Sequence, residues 1–244
     1  MPEEGCADAP AGTQSIAAGG ARATVKVGGQ TLTLLPQKAG WLAEARTLLI
    51  ADAHIGKAVS FRALGVPVPR GTTSETLAAL TALIEQHGAR RVIFLGDFMH
   101  SARSFAAATL AAVARWRQQH AAIELTLVRG NHDDRAGDPP AAWGIEVVDE
   151  PLMLNGLALC HHPRPRVSGY VLAGHLHPCV SLTGRVGDRL RLPCFWFGDH
   201  VGVLPAFGAF TGMHPIVSRA GDRVFAVADD QVRELPGIAA PRSG

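Results

Sequence analysis

Five short polar motifs follow five apolar, β-branched runs along the chain, in a fixed order. Such runs are typical of buried strands, so each motif falls where a strand ends. The motifs are Asp52-Ala53-His54, Gly96-Asp97-Phe98-Met99-His100, Gly130-Asn131-His132-Asp133, Cys160-His161-His162-Pro163 and Gly174-His175-Leu176-His177. Because sites gather at the carboxyl ends of parallel strands, the pattern predicts an α/β fold with one shared polar site.

The motifs supply carboxylate, imidazole and amide donors without a thiolate. Such donors suit divalent Mn, Fe or Zn, and two ions of this kind can clamp a phosphoryl group. Any one motif alone is weak, since Asp-x-His is common and a Gly-Asn-His-Asp stretch is often only a turn. Their joint occurrence, each after a predicted strand, indicates a site for two metal ions.

The ordered set resembles the signature of the calcineurin-like metallophosphoesterases, from about residue 48 to residue 178. That signature is Asp-x-His, Gly-Asp, Gly-Asn-His-Asp/Glu, a lone His and Gly-His-x-His. The resemblance implies a four-layer αββα sandwich of two mixed β-sheets flanked by helices. It also implies two divalent ions, preferably Mn, with Fe or Zn as alternatives. One ion is expected on Asp52, His54, Asp97 and His177, and the other on Asp97, Asn131, His161 and His175.

The order of segments along the 244 residues fits this architecture. Residues 1–22 are rich in Ala and Gly and are predicted to be a disordered lead-in, 23–235 a single domain and 236–244 a flexible tail. An edge hairpin is expected around Gly28-Gly29, followed by helices at 72–87, capped by Thr72 to Ser74 and ended by Gly88, and at 104–120. Short strand-like pieces at 151–154, 157–160, 170–173, 189–197 and 224–228 predict the second sheet.

The composition of the chain excludes few classes of function. A net charge of +2 and a pI near 8.5 neither require nor exclude a nucleic-acid partner. The N-terminal residues do not resemble a signal peptide and no stretch is long enough to span a bilayer, so a cytoplasmic protein without a membrane partner is expected. The four cysteines have no Cys-x-x-Cys spacing and are predicted to be free thiols.

The expected chemistry is hydrolysis, because hydroxide exists near neutral pH at a position that bridges two divalent ions. That hydroxide would attack phosphorus in line with the leaving oxygen. In the resembled family the residue at His132 reaches the substrate, where it protonates the leaving alkoxide or stabilises a phosphoryl oxygen. The alternative is that His132 only caps its loop. Asp133 is expected to orient that loop rather than to bind metal.

Two further histidines carry specific expectations. The Ser/Thr phosphatases of the superfamily have an Asp where this chain has His100, whereas the SbcD-type DNA repair nucleases have a His there. His100 therefore favours diester cleavage in nucleic acid, with a solvated loop residue as the alternative. Of the adjacent pair His161 and His162 only one is needed for metal, and we assign His161. His162 is left to support the ligands or to face the substrate, beside Pro163.

Two longer segments, 55–71 and 192–212, extend the resemblance to the ligase-associated DNA damage response endonucleases, the PdeM family. This narrower resemblance implies DNA as substrate, and an ATP-dependent DNA ligase and an Lhr-type helicase as partners. Basic residues near the motifs are candidates for binding flanking phosphates, and simple surface solvation is the alternative for each. These residues are Lys57, Arg62, Arg70, Arg103, Arg164 and Arg166.

The leading interpretation is a dinuclear-metal phosphodiesterase that acts as an endonuclease on DNA in a repair setting. The first alternative is a small-molecule phosphohydrolase, such as an LpxH-type nucleotide-sugar-lipid pyrophosphatase or a cyclic-nucleotide phosphodiesterase. The second is a scaffold without catalysis, against which the intact donor set speaks. A group of aromatic residues could stack unpaired bases, but packing in the core is the favoured interpretation. Its members are Phe195, Trp196, Phe197, Phe207 and Phe210.

Overall fold

The computed structural model of the chain describes residues 22–63, 65–68, 71–166, 168–183, 189–209 and 211–236. The predicted lead-in 1–22 and tail 236–244 lie outside the described residues, except for Arg22 and Pro236. Arg70, Phe210 and Cys6 also lie outside them. The division into domains expected from the sequence stays a prediction.

The first half of the chain builds a seven-stranded mixed sheet in sequential order, β1 to β7. Strands β1 to β4 pair antiparallel, beginning with the expected hairpin around Gly28-Gly29, and β4 to β7 pair parallel. The strands are β1 Ala23–Val27, β2 Gln30–Leu35, β3 Ala39–Leu42, β4 Thr47–Ile50, β5 Arg91–Leu95, β6 Glu124–Val128 and β7 Ile145–Val148.

The second half builds a nine-stranded mixed sheet, in which β9, β10 and β13 are parallel neighbours. Most of its other pairs are antiparallel. Its strands are β8 Leu152–Leu154, β9 Leu157–Leu159, β10 Tyr170–Ala173, β11 Pro178–Thr183, β12 Arg189–Phe197, β13 Val201–Val203, β14 His214–Pro215, β15 Arg223–Ala228 and β16 Gln231–Leu235.

Helices connect the parallel strands of the first sheet. They are α1 Lys57–Ala63, α2 Thr72–His87, α3 Ala107–Gln119 and α4 Asn131–Ala136, with 3₁₀ turns at Ala102–Phe105 and Ala141–Trp143. Among the described residues, no helix combines the length and the apolar character needed to cross a membrane.

Alternating side chains of the central strands fill two separate cores. Leu48 and Val92 face the buried side chains of α2 and α3. Their neighbours Leu49 and Ile93 face the second sheet and pack in the same cluster as Leu172. Because successive strand residues point to opposite faces, strands buried on both faces are apolar throughout, as this sequence is at 47–51 and 91–95. The expected fold class, two mixed sheets flanked by helices, is confirmed.

Several local predictions need correction. Helix α2 has Gly71 at its N-cap with φ of 98° and no side-chain cap, so the expected capping by Thr72 to Ser74 is wrong; Thr72 is the first helical residue. The predicted helix at 104–120 is divided, because Ala106 is extended between a 3₁₀ turn and α3. The sequence did not predict α1, since seven residues are too few to display a helical period.

Two predictions about buried side chains are confirmed within the described residues. Phe195, Phe197 and Phe207 are buried in the cores, and Trp196 packs beside them with its Nε1–H donating to Asp222. These aromatic rings are therefore core residues rather than an exposed stacking platform. The thiols of Cys160, Cys179 and Cys194 are free and buried.

Candidate metal centre

The loops that follow β4, β5, β6, β9 and β10 meet at one place between the two sheets. The first sheet supplies Asp52, His54, Asp97 and Asn131, and the second supplies His161, His175 and His177. All seven predicted metal-binding side chains therefore come together, although 125 positions separate the first from the last. The parallel strands β4, β5 and β6 on one side and β9 and β10 on the other explain the convergence, because their carboxyl ends lie at the same edge.

The Asp97 carboxylate lies between two sets of donors. Its Oδ1 is 3.5 Å from Nε2 of His161, and its Oδ2 is 4.0 Å from Nε2 of His54. The side chain is buried, and the backbone N–H of His132 donates to Oδ1 over 2.9 Å. Each oxygen thus faces a different histidine, which is the arrangement that a carboxylate needs to serve two ions at once.

Asp52, His54 and His177 form the first donor set. The Nε2 atoms of His54 and His177 are 3.3 Å apart, and Asp52 Oδ1 is 3.5 Å from His177 Nε2. Asp52 Oδ1 is completely buried without a hydrogen-bond donor among the described residues, which is costly for a carboxylate oxygen unless a cation faces it. Burial, reinforced by the nearby charge of Lys57, lowers the pKa of His54 and keeps its imidazole neutral, the form that binds metal.

His161, His175 and Asn131 form the second donor set. Nε2 of His161 is 2.9 Å from Asn131 Oδ1 and 3.0 Å from His175 Nδ1. The Nδ1 of His161 is 3.0 Å from the carbonyl of Leu95, and donation there leaves the Nε2 lone pair available to a metal ion. Burial, followed by the charges of neighbouring histidines, lowers the pKa of His175. Oxygen and imidazole donors of both sets fit divalent ions such as Mn, Fe or Zn.

The backbone of this centre is strained. Five of the seven predicted ligands adopt left-handed conformations, which non-glycine residues rarely do. Strain of this kind persists only where the surrounding structure fixes it, and it concentrates at functional sites. The residues are Asp52, His54, Asp97, His175 and His177, with φ between 45° and 70°.

Two glycines permit the loops to approach each other. A Cβ on Gly96, whose φ is +79°, would lie 2.2 Å from Nδ1 of His161. A Cβ on Gly174 would lie 2.5 Å from Oδ2 of Asp52. That oxygen accepts a hydrogen bond from the backbone N–H of His175. The glycines of the second and fifth motifs are thus required by packing between the two donor sets.

His132 and His100 lie beside the first donor set. Their rings stack with centroids 5.0 Å apart, and the ring of Phe61 also stacks with that of His100, with centroids 6.0 Å apart. Burial and the charges of Lys57 and His132 lower the pKa of His100 to about 4. The rings of His100 and His132 also contact His54 edge to face. His100 is therefore half-buried and packed within the centre rather than free in solvent.

Asp133 is directed into the loops instead of toward the donors. Its Oδ2 accepts from the N–H of Gly130, and its Oδ1 accepts from the N–H of Met99. Burial raises the pKa of Asp133 to about 6 in spite of these bonds. By linking the second and third motifs, the carboxyl orients their loops, which is the role expected for it.

Glu150, which the sequence analysis missed, supports the fourth motif. Its Oε2 accepts hydrogen bonds from the N–H groups of both His161 and His162, and its Oε1 contacts Nδ1 of His162 and Nη2 of Arg166. Burial opposes ionisation of Glu150, but the two backbone hydrogen bonds outweigh it and hold the pKa below its ordinary value. A single Glu before Pro151 carries no sequence signal for such a role.

His162 is closer to the donors than expected. Its ring packs against those of His161 and His175, with centroids 4.8 and 4.7 Å away. Ligand atoms of the three histidines lie within 4.8 Å of one another. His161 is the fully buried member and contacts Asp97 and Asn131, whereas His162 is partly exposed and held by Glu150. His161 therefore remains the expected ligand, with His162 next to it.

The predicted phosphate-binding residues differ in their placement. Lys57 is closest to the centre: burial lowers the pKa of its ammonium, while the charges of Asp52 and Asp97 oppose that change. Its Nζ lies 5.6 Å from the ring centre of Phe61. The other candidates in the described residues are exposed around the site. These are Arg62, Arg103, Arg164 and Arg166.

Comparison with known proteins agrees with this site. A sequence model of the calcineurin-like phosphoesterase family matches residues 45–162. The crystal structure of the nuclease MPE from Pseudomonas putida is 43% identical and superposes with a TM-score of 0.78, over 88% of this chain and 100% of that one. The phosphoesterase Yfce from E. coli is 14% identical over 75% of this chain and 88% of its own, with a TM-score of 0.36. No curated protein sequence matches.

The chain belongs to the calcineurin-like phosphoesterase family, and is thus a metal-dependent hydrolase of phosphoric esters. The family and the enzyme class expected from the five motifs are confirmed. The likeness to a nuclease is in keeping with the narrower resemblance to the PdeM family.

Proposed function

We propose that this protein is a dinuclear metal-dependent endonuclease that hydrolyses phosphodiester bonds in DNA. The observation that carries the proposal is the position of Asp97, whose two oxygens face His161 on one side and His54 on the other. One carboxylate with a donor set on each side is what a pair of ions requires. The similarity to a protein named as a nuclease supports nucleic acid as the substrate.

Asp52, His54, Asp97 and His177 would hold one ion, and Asp97, Asn131, His161 and His175 the other, with Mn preferred and Fe or Zn as alternatives. A pair of divalent ions there supplies an acidified water and neutralises charge on the phosphoryl oxygens. The burial of Asp52, Asp97 and His161 excludes solvent from the donors and strengthens every charge interaction among them.

His132 acts on the leaving group. Its Nδ1–H donates to the carbonyl of His100 over 2.7 Å, which fixes the ring and leaves Nε2 directed to the centre, 3.9 Å from Asp97 Oδ2. From Nε2 the imidazolium delivers a proton to the departing alkoxide. Lys57 lies beside the carboxylates of the centre and supplies positive charge toward the scissile phosphate. The exposed arginines named above contact the phosphates farther along the strand, and the sequence adds Arg70, which lies outside the described residues.

The substrate test is cleavage of a covalently closed circular single-stranded DNA in the presence of Mn, beside hydrolysis of a bis-aryl phosphodiester. The Asp97→Ala protein serves as the control for contaminating nucleases. Cutting of the circle by the wild-type protein alone would support the proposal, because a circle has no end for an exonuclease. If only the aryl diester is hydrolysed, the endonuclease proposal fails and the small-molecule phosphohydrolase becomes the favoured alternative.

The cellular setting rests on resemblance. The PdeM family suggests DNA repair in the cytoplasm, with an ATP-dependent DNA ligase and an Lhr-type helicase as partners. Co-purification of tagged protein with and without DNA damage, followed by identification of the bound proteins, tests this part separately. Recovery of neither a ligase nor a helicase would remove the proposed partners and leave the chemistry untouched.

A further inference from the structure

A cavity of about 180 Å³ opens beside the metal centre, between the turn after β2 and the segment that follows β13. Its lining includes His177, whose Nε2 belongs to the first donor set, together with Lys38, Pro193 and Gly212. The Nδ1 edge of His177 is 3.0 Å from the carbonyl of Gly212, so the cavity adjoins the centre directly behind one of its ligands. At roughly 30 Å³ for each water molecule, the space exceeds that of a single water.

Lys38 places a positive charge in this cavity. Within the part of the chain that the structure describes, its Nζ donates one hydrogen bond, to the carbonyl of Phe207 over 2.9 Å, although an ammonium has three N–H groups to donate. Among the described residues no carboxylate forms an ion pair with it. Burial lowers the pKa of Lys38 to about 8, which still leaves most of it protonated at neutral pH.

A purely structural role does not account for this residue. The Phe207–Gly208 segment packs on the first motif, because the N–H groups of Phe207 and Gly208 donate to the carbonyls of Ala51 and Asp52. A neutral donor could hold that segment equally well. Lys38 is half-buried, and placing its charge there without an opposite partner is unfavourable. Its left-handed φ of 64° is ordinary for the last residue of the three-residue loop between β2 and β3. The charge without a carboxylate partner among the described residues therefore indicates a group retained for a ligand.

We propose that Lys38 and the cavity beside His177 form a subsite for a phosphate of the substrate strand that flanks the phosphate cleaved at the metal centre. This inference rests on the proposed function, since it presumes a polynucleotide substrate. A phosphate in the cavity accepts hydrogen bonds from the N–H groups of Lys38 that do not bond to Phe207. It also supplies the negative charge that no carboxylate of the described residues provides. Because of the subsite, substrate binding depends on a second phosphate. A polynucleotide substrate of a nuclease carries such a phosphate, whereas the substrate of a simple diesterase does not.

The test compares chromogenic substrates that differ by one phosphate. Thymidine 5′-(p-nitrophenyl phosphate) is assayed with and without a 3′-phosphate. Thymidine 3′-(p-nitrophenyl phosphate) is assayed with and without a 5′-phosphate. The two pairs place the added phosphate on either side of the cleaved one along the strand. In the wild-type enzyme the added phosphate is expected to raise kcat/KM about tenfold in at least one pair, mainly through KM. In Lys38→Gln, which can still donate to Phe207, that gain should fall below about twofold.

Three further variants decide between interpretations. Lys26→Gln removes an exposed lysine on β1 and should retain the full gain. Lys38→Arg keeps the charge and should retain most of the gain in kcat/KM. If Lys38→Gln does not fold, Lys38→Met takes its place, because its unbranched side chain fills a similar volume. No gain in the wild-type enzyme with either pair, or a full gain in a folded Lys38→Gln or Lys38→Met protein, would overturn the subsite.

The circular DNA assay separates failure of the subsite from failure of the proposed function. A wild-type enzyme that cuts the circle but shows no gain from the second phosphate would refute only the Lys38 subsite. An enzyme that does not cut the circle would refute the proposed endonuclease function itself, whatever the chromogenic substrates show.

Discussion

The ring of His132 lies parallel to that of His100 at 5.0 Å, and its Nδ1–H donates to the His100 carbonyl. This pairing engages one nitrogen of His132 and leaves the other free beside Asp97. Phe61 also stacks with His100, so the ring that supports His132 is itself held by an aromatic contact. The position of a proton donor is therefore fixed before any substrate binds.

We expect His132→Ala to reduce kcat by about 10²- to 10⁴-fold on DNA and on diesters with poor leaving groups, because the leaving alkoxide then departs without a proton. Metal content, measured by elemental analysis, should stay at the wild-type level. His200→Ala, which removes an exposed histidine outside the site, should behave like the wild type. Full activity of His132→Ala on a poor leaving group would refute the role of a proton donor.

His100→Ala should impair cleavage of DNA more than hydrolysis of an activated aryl diester. The aryl leaving group needs no proton, so hydrolysis of the aryl diester does not depend on the support that His100 gives to His132. The aryl diester also lacks the nucleic-acid strand that His100 is expected to contact. Parallel measurement of kcat/KM for the two substrates checks this. An equal loss on both would contradict a role directed to nucleic acid.

Removal of metal by a chelator should lower the thermal stability of the protein. An ion present at about 1,000 times its Kd stabilises the folded state by about 4 kcal/mol, which in a chain of this size corresponds to roughly 10 °C in Tm. The shift can be followed by calorimetry with and without chelator. Asp97→Ala should lack both the activity and the shift, whereas Asp199→Ala, at an exposed carboxylate, should retain them. An unchanged shift in Asp97→Ala would argue against Asp97 as a ligand.

Gly96→Ala should destabilise the fold and weaken metal binding together. Its φ of +79° strains any other residue, and the new methyl would overlap His161. A loss of about 2 kcal/mol or more is expected, measured by denaturant unfolding. Gly221→Ala is the matched control, because its φ of +95° imposes a similar backbone strain but a Cβ there meets no atom within 4 Å. Equal stability of the two variants would show that the loops can shift to accept the methyl group.

Glu150→Ala should weaken metal binding about 10- to 100-fold without unfolding the protein. The carboxylate holds the backbone of His161 and His162, so its loss releases the fourth motif from its position. Calorimetric titration of the metal-free protein with Mn measures the change. Glu146→Ala, at an exposed position on β7, should bind Mn as the wild type does. Wild-type affinity for Mn in Glu150→Ala would show that Glu150 does not position the fourth motif for metal binding.

The parts of the structure that depend on local pattern were predictable. Helix α2 and strands β10 and β12 occupy the ranges that the sequence pattern indicated. The convergence of the expected metal donors belongs to the same category, because each lies within a few residues of the strand that carries it. The left-handed conformations of five donors were not predictable, since they arise from close approach of loops on different sheets.

Single charged residues escaped the sequence analysis for a different reason. Lys38 contacts Phe207, which lies 169 positions away, and nothing in its own neighbourhood distinguishes it from a solvated lysine. Glu150 meets its histidines only after the chain has left the first sheet and turned back through β8 and β9. Contacts of this kind follow from the packing of the sheets and have no local periodicity or spacing to reveal them.

Four metal donors precede residue 132 and the remaining three follow residue 160. A growing polypeptide can therefore complete its donor sets only after strands β9 and β10 have joined the second sheet. We therefore expect a polypeptide truncated before β10 to lack His175 and His177 and to complete neither donor set.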